Sequence, residues 1–200
     1  METWLRIALP LYFIAFSFVC FVWRIRVFKK LNGINPLILR SSESPMGYVS
    51  FLLKVIAVMT AFSVGCFVCC PESYLANGSF NPLNVTSFKA VGFLFFAASF
   101  ILTAAAQIQM GKSWRVGIDT KIKTELVRHG VYRFSRNPIY LGIMITLIGY
   151  FLILPNRLNL VIALFAFAVF GMLIRLEEEH MRSLHPDEFS KFCKEVRRWI

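Results

Sequence analysis

Five stretches of this 200-residue sequence contain almost no charged side chains, although Asp, Glu, Lys and Arg make up 16% of the chain. A helix that crosses a membrane needs about 20 mostly apolar residues. The stretches are residues 7–23, 47–70, 90–110, 137–156 and 158–174. Only the second carries a charge, at Lys54, and 57% of the chain is hydrophobic. This composition excludes a soluble domain and predicts an all-α polytopic membrane protein with five transmembrane helices.

The first apolar stretch lacks the basic start and the small-residue cleavage site of a secretory signal peptide. We therefore expect it to remain as an anchor, and residues 1–200 to form a single integral membrane domain. The sequence also lacks the internal repeats with broken helices that transporters tend to show. A transporter or a non-enzymatic membrane scaffold is accordingly a minor alternative.

Metal ligands are also scarce. The chain has three histidines and five cysteines, and the cluster Cys66, Cys69 and Cys70 has no histidine or second cysteine pair nearby. A structural zinc site takes four thiolate or imidazole ligands. We therefore predict no metal site, and we interpret these cysteines as small apolar residues of a membrane helix.

Acidic residues number 11 against 22 lysines and arginines, and the basic residues are unevenly distributed. They follow the first and third apolar stretches, whereas Glu72 and Lys89 are the only charges between the second and third. Basic loops face the cytoplasm, so we predict an outside N-terminus and a cytoplasmic C-terminus, in a cell inner membrane or the endoplasmic reticulum. Topology and anionic lipid explain the net charge of +11 without nucleic acid.

The fourth and fifth apolar stretches are joined by only "PNRLN", which predicts an antiparallel helical hairpin. The hairpin would bring the start of one helix beside the end of the other. At the start, Asn137 can accept a backbone N–H as a cap and Pro138 suits the first turn. The free N–H groups there favour an anion, which Arg133 and Arg136 would reinforce.

Three consecutive carboxylates, Glu177, Glu178 and Glu179, end the fifth stretch. They repel one another and sit poorly at a helix C-terminus, where the helix dipole favours a cation. A site that prefers an anion on one side and a cation on the other suits a zwitterion. The alternative is that the arginines are ordinary cytoplasmic anchors and the glutamates a solvated helix end.

Two further features concern the same face of the membrane. Pro186 is predicted to start a last, amphipathic helix that lies on the cytoplasmic surface or caps a site there. Its apolar stripe contains Phe189, Phe192, Val196 and Trp199. Gln107 and Gln109 end the third apolar stretch, where they contact a cavity or partner helix, or already lie in the headgroup layer.

The segment "ELVRHGVYRFSRNPIYLG", the hairpin after it, the glutamate pair and the tail with "DEF" and "RRW" together resemble the isoprenylcysteine carboxyl methyltransferase family, which is related to the phospholipid methyltransferases. The resemblance covers about residues 107–200 and implies that this part is a cofactor-binding methyltransferase core. It implies S-adenosyl-L-methionine as the cofactor. The implied cofactor-binding residues are Leu126, Val127, Gly130, Tyr132, Arg136, Asn137, Pro138, Tyr140, Glu177 and Glu178.

The chain departs from the family pattern at two positions. Asn137 replaces the motif histidine, which keeps a hydrogen-bonding side chain but loses an imidazole. The substrate-contacting arginine of the prenylcysteine enzymes would fall near Leu173, and the closest arginine is Arg175. Arg175 or Arg133 is therefore the candidate for holding an acceptor carboxylate.

The function that the resemblance implies is methylation of a lipidic or prenylated acceptor within the membrane. Attack of a carboxylate on a sulfonium-bound methyl group needs alignment and exclusion of water, but no general base. A phospholipid amine or a thiol is the alternative acceptor, and Tyr140 or Glu178 would then be a candidate base. A membrane reductase of the sterol reductase type is also considered, because those enzymes have a similar C-terminal pattern. It is a minority alternative, because they are usually larger than this chain.

Overall fold

The computed structural model describes residues 3–33, 44–76, 78–111, 114 and 126–200. Apart from one isolated bridge between Ser79 and Asn156, the regular structure of this part of the chain is helical. The main helices are α1 (Leu5–Ser17), α2 (Arg24–Asn32), α3 (Pro45–Cys69), α4 (Pro71–Ala76), α5 (Thr86–Met110), α6 (Pro138–Ile153), α7 (Arg157–Leu184) and α8 (Pro186–Glu195). The predicted all-α class is confirmed for the described residues.

Four of the described helices are long and apolar enough to cross a membrane, namely Leu5–Lys30, Pro45–Cys69, Thr86–Met110 and Arg157–Leu184. The fifth predicted span corresponds to α6, which has 16 residues. At 1.5 Å per residue it is about 24 Å long, somewhat less than the hydrocarbon core of about 30 Å. Four of the five predicted spans thus correspond to helices that are long and apolar enough to cross a membrane, and the arrangement of five spans stays a prediction.

The first helix extends beyond its apolar stretch. Helices α1 and α2 are joined without a break by a π-helical segment, Phe18–Trp23, so that the helix runs into the basic stretch. In the π-helical segment the side-chain amide of Gln107 donates to the carbonyl of Cys20 at 2.8 Å. A π-helical segment changes the pairing of backbone groups, and α5 supplies a donor at this point.

Helices α5 and α6 pack at very short range through glycines. A Cβ atom on Gly92 would lie 2.7 Å from the carbonyl oxygen of Gly149. One turn from the start of α6, a Cβ on Gly142 would overlap the hydroxyl of Thr103. The missing side chains allow the two backbones to approach, and the order of these contacts shows that the helices are antiparallel.

The predicted hairpin is confirmed. Three residues separate the end of α6 from the start of α7, and the side chain of Asn156 caps α7 by accepting the N–H of Leu158 at 2.9 Å. Helix α7 continues to Leu184, well past the glutamates. They therefore lie inside the helix, where the unfavourable interaction with the helix dipole is weak.

Pro186 starts α8, as predicted from the sequence. Phe189, Phe192 and Val196 are buried and pack with Leu126. The helix is shorter than its apolar stripe, because Val196 is already extended, with φ −124° and ψ 133°. The chain then turns back across the hairpin, and the Trp199 ring stacks on Phe167 at 6.0 Å between centroids.

Candidate active site

One end of the helix bundle collects most of the residues singled out from the sequence. It is formed by the last turn of α5, a 3₁₀ turn (Gly130–Arg133), the first turn of α6, and the part of α7 that follows its apolar stretch. We call it the basic end. The Tyr140 hydroxyl donates to Glu177 Oε1 at 2.7 Å, which joins the first turn of α6 to α7. Both side chains are half-buried.

Glu178 faces two arginines. Arg136 Nη2 lies 3.2 Å from Glu178 Oε1, and Arg198 donates through Nη2 and Nε to Oε2 at 2.7 and 3.2 Å. The side chains of Arg136 and Glu178 are only 11% and 10% exposed, whereas that of Arg198 is 39% exposed. The hydrogen bonding of Arg198 to Glu178 and the negative charge of Glu178 raise the pKa of Arg198, which therefore stays charged. The pair Arg136–Glu178 is thus a buried ion pair with one additional, partly solvated cation.

The C-terminal residues after α8, 196–200, form a segment that we call the tail, and its backbone closes over the start of α6. The backbone N–H of Arg136 donates to the carbonyl of Arg197 at 3.1 Å. The Asn137 amide donates to the carbonyl of Arg198 at 3.1 Å. The prediction that the Asn137 side chain caps α6 is wrong, because this amide is engaged by the tail and makes no capping hydrogen bond. Pro138 does occupy the first turn, as predicted.

The 3₁₀ turn places Tyr132 beside α5. Gly130 has φ +61°, and a Cβ there would overlap the side chain of Gln109, which accepts the N–H of Val131 at 2.9 Å. Tyr132 is 6% exposed, and its hydroxyl donates to the carbonyl of Ala106 at 3.4 Å. Gln107 and Gln109 therefore contact neighbouring segments, as one of the two interpretations predicts, whereas their depth in the membrane stays a prediction.

Burial raises the pKa of the Tyr132 phenol, and the nearby negative charge of Glu177 raises it further, while Arg24 opposes the shift. Tyr132 is consequently a neutral phenol at physiological pH. It can offer a hydrogen bond or an aromatic face, but it is not a base. Tyr132 and Glu177 both lie at the basic end, Tyr132 in the 3₁₀ turn before α6 and Glu177 against Tyr140 in the first turn of α6.

Arg24 was not singled out as a site residue from the sequence. It is only 4% exposed, its Nη2 donates to the carbonyl of Gly111 at 2.5 Å, and its Cζ lies 5.5 Å from the centroid of the Trp114 ring. Its only sequence signal is its position directly after the first apolar stretch, which any cytoplasmic anchoring arginine shares. Burial distinguishes it from Arg26, which is exposed.

The predicted site residues thus divide into three groups. The structure brings together Tyr132, Arg136, Asn137, Pro138, Tyr140, Glu177 and Glu178. Leu126 and Val127 are half-buried, Leu126 against α8, and Gly130 lies in the 3₁₀ turn. Arg133 and Arg175, the predicted acceptor-binding residues, are exposed. The roles of all these residues stay predictions.

Comparison with known proteins identifies the family. The Phospholipid methyltransferase family matches residues 88–188. The Protein-S-isoprenylcysteine O-methyltransferase of Saccharomyces cerevisiae is 31% identical over 173 residues, which cover 81% of this chain and 68% of that protein. The chain belongs to the isoprenylcysteine carboxyl methyltransferase family. The Schizosaccharomyces pombe protein of the same name is 29% identical over 127 residues, 62% of this chain and about half (52%) of its own length.

The chain is therefore a methyltransferase, and its long apolar helices make it an integral membrane protein. The family match begins within α5 and ends within α8, so that it contains the hairpin, the 3₁₀ turn and all three glutamates. The tail, which contacts Arg136 and Asn137, lies beyond residue 188.

Proposed function

We propose that this membrane methyltransferase transfers the methyl group of S-adenosyl-L-methionine to a lipidic or prenylated acceptor, with a prenylcysteine carboxylate as the first choice. The observation that carries the proposal is the Tyr140–Glu177 hydrogen bond at 2.7 Å beside buried Tyr132. It gives the basic end a carboxylate in a fixed orientation next to a neutral aromatic ring. The names of the two relatives support the choice of acceptor.

The side chains present at the basic end suit this cofactor. Glu177 can face the ammonium and sulfonium groups, since it has Tyr140 but no cation as a partner among the described residues. Tyr132 offers an aromatic face for the adenine. We assign residues 107–200 as the cofactor-binding core, with Leu126, Val127 and Gly130 around the pocket. Arg136, Asn137 and Pro138 then shape its edge, and Glu178 contributes through the arginines that it holds.

The chemistry needs positioning more than proton transfer. S-Adenosylmethionine, when bound, supplies a methyl group that the sulfonium already activates. A carboxylate oxygen of the acceptor forms the new C–O bond while the C–S bond breaks, giving a methyl ester and a thioether without net proton transfer. The protein has to align the oxygen, carbon and sulfur atoms and to keep water out.

We further propose the membrane arrangement that the sequence predicts, with five spans, an outside N-terminus and a cytoplasmic basic end. Basic loops favour this orientation, and α6 would cross within the protein, packed between α5 and α7. The cofactor would enter from the cytoplasm and the acceptor sideways from the bilayer. A cysteine-accessibility scan in sealed vesicles tests the orientation, because reagents that cannot cross membranes should label the tail from the cytoplasmic side only.

A phospholipid amine is the second candidate acceptor, favoured by the match of residues 88–188 to the Phospholipid methyltransferase family. An amine must lose a proton during methylation, so this reaction would need a base. Methyl transfer to phosphatidylethanolamine and not to a farnesylated cysteine would establish it. A thiol acceptor would be recognised in the same panel.

The decisive experiment is binding of radiolabelled S-adenosylmethionine to the intact, detergent-purified protein, followed by a panel of lipidic acceptors. Glu177→Gln should weaken binding by about 10- to 100-fold, because it removes an interaction with a charged group. Glu179→Gln is the matched control, since this neighbouring side chain is exposed. Binding of a nicotinamide nucleotide instead of S-adenosylmethionine would overturn the proposal in favour of a reductase.

A further inference from the structure

Arg24 is a charged side chain buried inside a membrane protein. It lies at the start of α2, directly after the π-helical segment, and is 4% exposed. Burial of a charge is costly unless a counter-ion and hydrogen bonds compensate for it. An arginine cannot avoid the cost by losing its proton. A partner for the guanidinium is therefore expected.

The described part of the chain supplies a hydrogen bond and a ring contact for Arg24, but no counter-ion. Arg24 Nη2 donates to the carbonyl of Gly111, and the guanidinium lies over the Trp114 ring. Its Nε–H is fully buried and has no hydrogen-bond acceptor, and none of the described carboxylates pairs with it. The carbonyl and the ring hold the guanidinium in place, but among the described residues its Nε–H has no acceptor and its charge has no counter-ion.

The surroundings of Arg24 connect it with the candidate active site. Gln107 donates to the carbonyl of Cys20, four residues before Arg24, and its neighbour Ala106 accepts from the Tyr132 hydroxyl, so that α5 contacts both the first helix near Arg24 and Tyr132. Consistent with this, the positive charge of Arg24 opposes the upward shift in the pKa of Tyr132. On α5, one turn apart, Thr103 Oγ1 and Gln107 Oε1 are also buried without a partner. Native interiors leave few such atoms unsatisfied. Gln107 adjoins Ala106, which accepts from Tyr132, so Arg24 and Gln107 leave unsatisfied polar atoms near this contact with which a polar ligand could pair.

We propose that Arg24 binds a carboxylate group of a ligand in the active site. Guanidinium groups bind carboxylates through paired N–H donors, and the buried charge would be neutralised only when the ligand is present. This inference rests on the proposed function, which offers two sources of a carboxylate: the acceptor and the amino-acid part of S-adenosylmethionine. It assigns to Arg24 the task that the sequence predicted for the exposed Arg175 or Arg133.

The first test compares Arg24→Gln with the wild-type protein by measuring S-adenosylmethionine Kd and the KM for N-acetyl-S-farnesylcysteine. One of the two constants should rise by about 10- to 100-fold, as expected for loss of a hydrogen-bonded charge. A rise in Kd identifies the cofactor carboxylate, and a rise in KM alone identifies the acceptor carboxylate. Arg26→Gln, two residues away and exposed, should change neither.

The second test starts from the wild-type protein, so that its first measurement holds even if Arg24→Gln folds poorly. Wild-type binding is compared for S-adenosylhomocysteine and its decarboxylated analogue, and for N-acetyl-S-farnesylcysteine and its carboxamide. The carboxylate should be preferred by about 10-fold or more in at least one pair, and Arg24→Lys, which keeps the charge but not the paired donors, should reduce that preference.

Two outcomes contradict the inference in different ways. The assignment of Arg24 is overturned if the wild type binds both members of each pair equally, or if a folded Arg24→Gln protein has unchanged constants. Methyl transfer by the wild type would still uphold the proposed function in that case. A wild-type protein that binds none of the four compounds and transfers no methyl group overturns both.

Discussion

Replacement of Glu178 by glutamine tests whether the buried ion pair holds the tail against the hairpin. Glutamine keeps the length of the side chain and one carbonyl oxygen, but it removes the negative charge between Arg136 and Arg198. The two guanidinium groups would then be left with each other and with the backbone carbonyl of Cys193, 3.3 Å from Arg136 Nη1. The structure thus predicts two uncompensated cations at one place.

The size of the effect follows from the burial of the three side chains. Breaking a buried ion pair by removing one partner costs about 3–5 kcal/mol. Arg198 is 39% exposed, so water stabilises it after the change, and only Arg136 remains in a poorly solvated position. We therefore expect a loss at the lower limit, about 3 kcal/mol, which corresponds to a fall in Tm of about 6–12 °C for a chain of this size.

Thermal unfolding in detergent measures this change, and limited trypsin digestion gives an independent readout. Trypsin cuts after lysine and arginine, and Lys194, Arg197 and Arg198 lie at or beside the tail. Their cleavage should become faster in Glu178→Gln at temperatures where the rest of the protein stays folded. Glu179→Gln is the matched control, because that residue is adjacent and exposed. Equal Tm values and equal cleavage rates in the two variants would refute the structural role assigned to Glu178.

Two further substitutions test local geometry. Tyr140→Phe removes the hydrogen bond that orients Glu177, so S-adenosylmethionine binding should weaken by about 3- to 10-fold, less than in Glu177→Gln; an unchanged Kd would exclude orientation by Tyr140. Gly142→Ala places a methyl group against Thr103 and should lower the free energy of unfolding by about 1–3 kcal/mol. Gly171→Ala, which meets no neighbouring atom, should be neutral or slightly stabilising. Equal Tm values in the two variants would contradict the close packing.

Local signals predicted the framework of the molecule well. The apolar stretches gave four of the long helices, the short connection gave the hairpin, and Pro138 and Pro186 mark helix starts as expected. Each of these features depends on neighbouring residues only. Hydrophobic length and proline geometry therefore suffice to locate them.

The details of the site depend on residues distant in the chain, and there the sequence was less informative. Asn137 was expected to cap its own helix, but its side chain makes no capping hydrogen bond and its amide donates to the carbonyl of Arg198, 61 residues away. Arg24 resembled an anchoring residue until the packing of α5 and Trp114 buried it. Neither contact leaves a periodic pattern or a spacing, so neither could be read from composition.

The three adjacent glutamates of α7 have a mechanical consequence. Successive side chains of an α-helix point about 100° apart, and here one faces Tyr140, the next faces the arginines and the third faces outward. The carboxylate that pairs with Arg198 is therefore one peptide unit from the carboxylate that accepts from Tyr140. Any displacement of this part of α7 would move both contacts together.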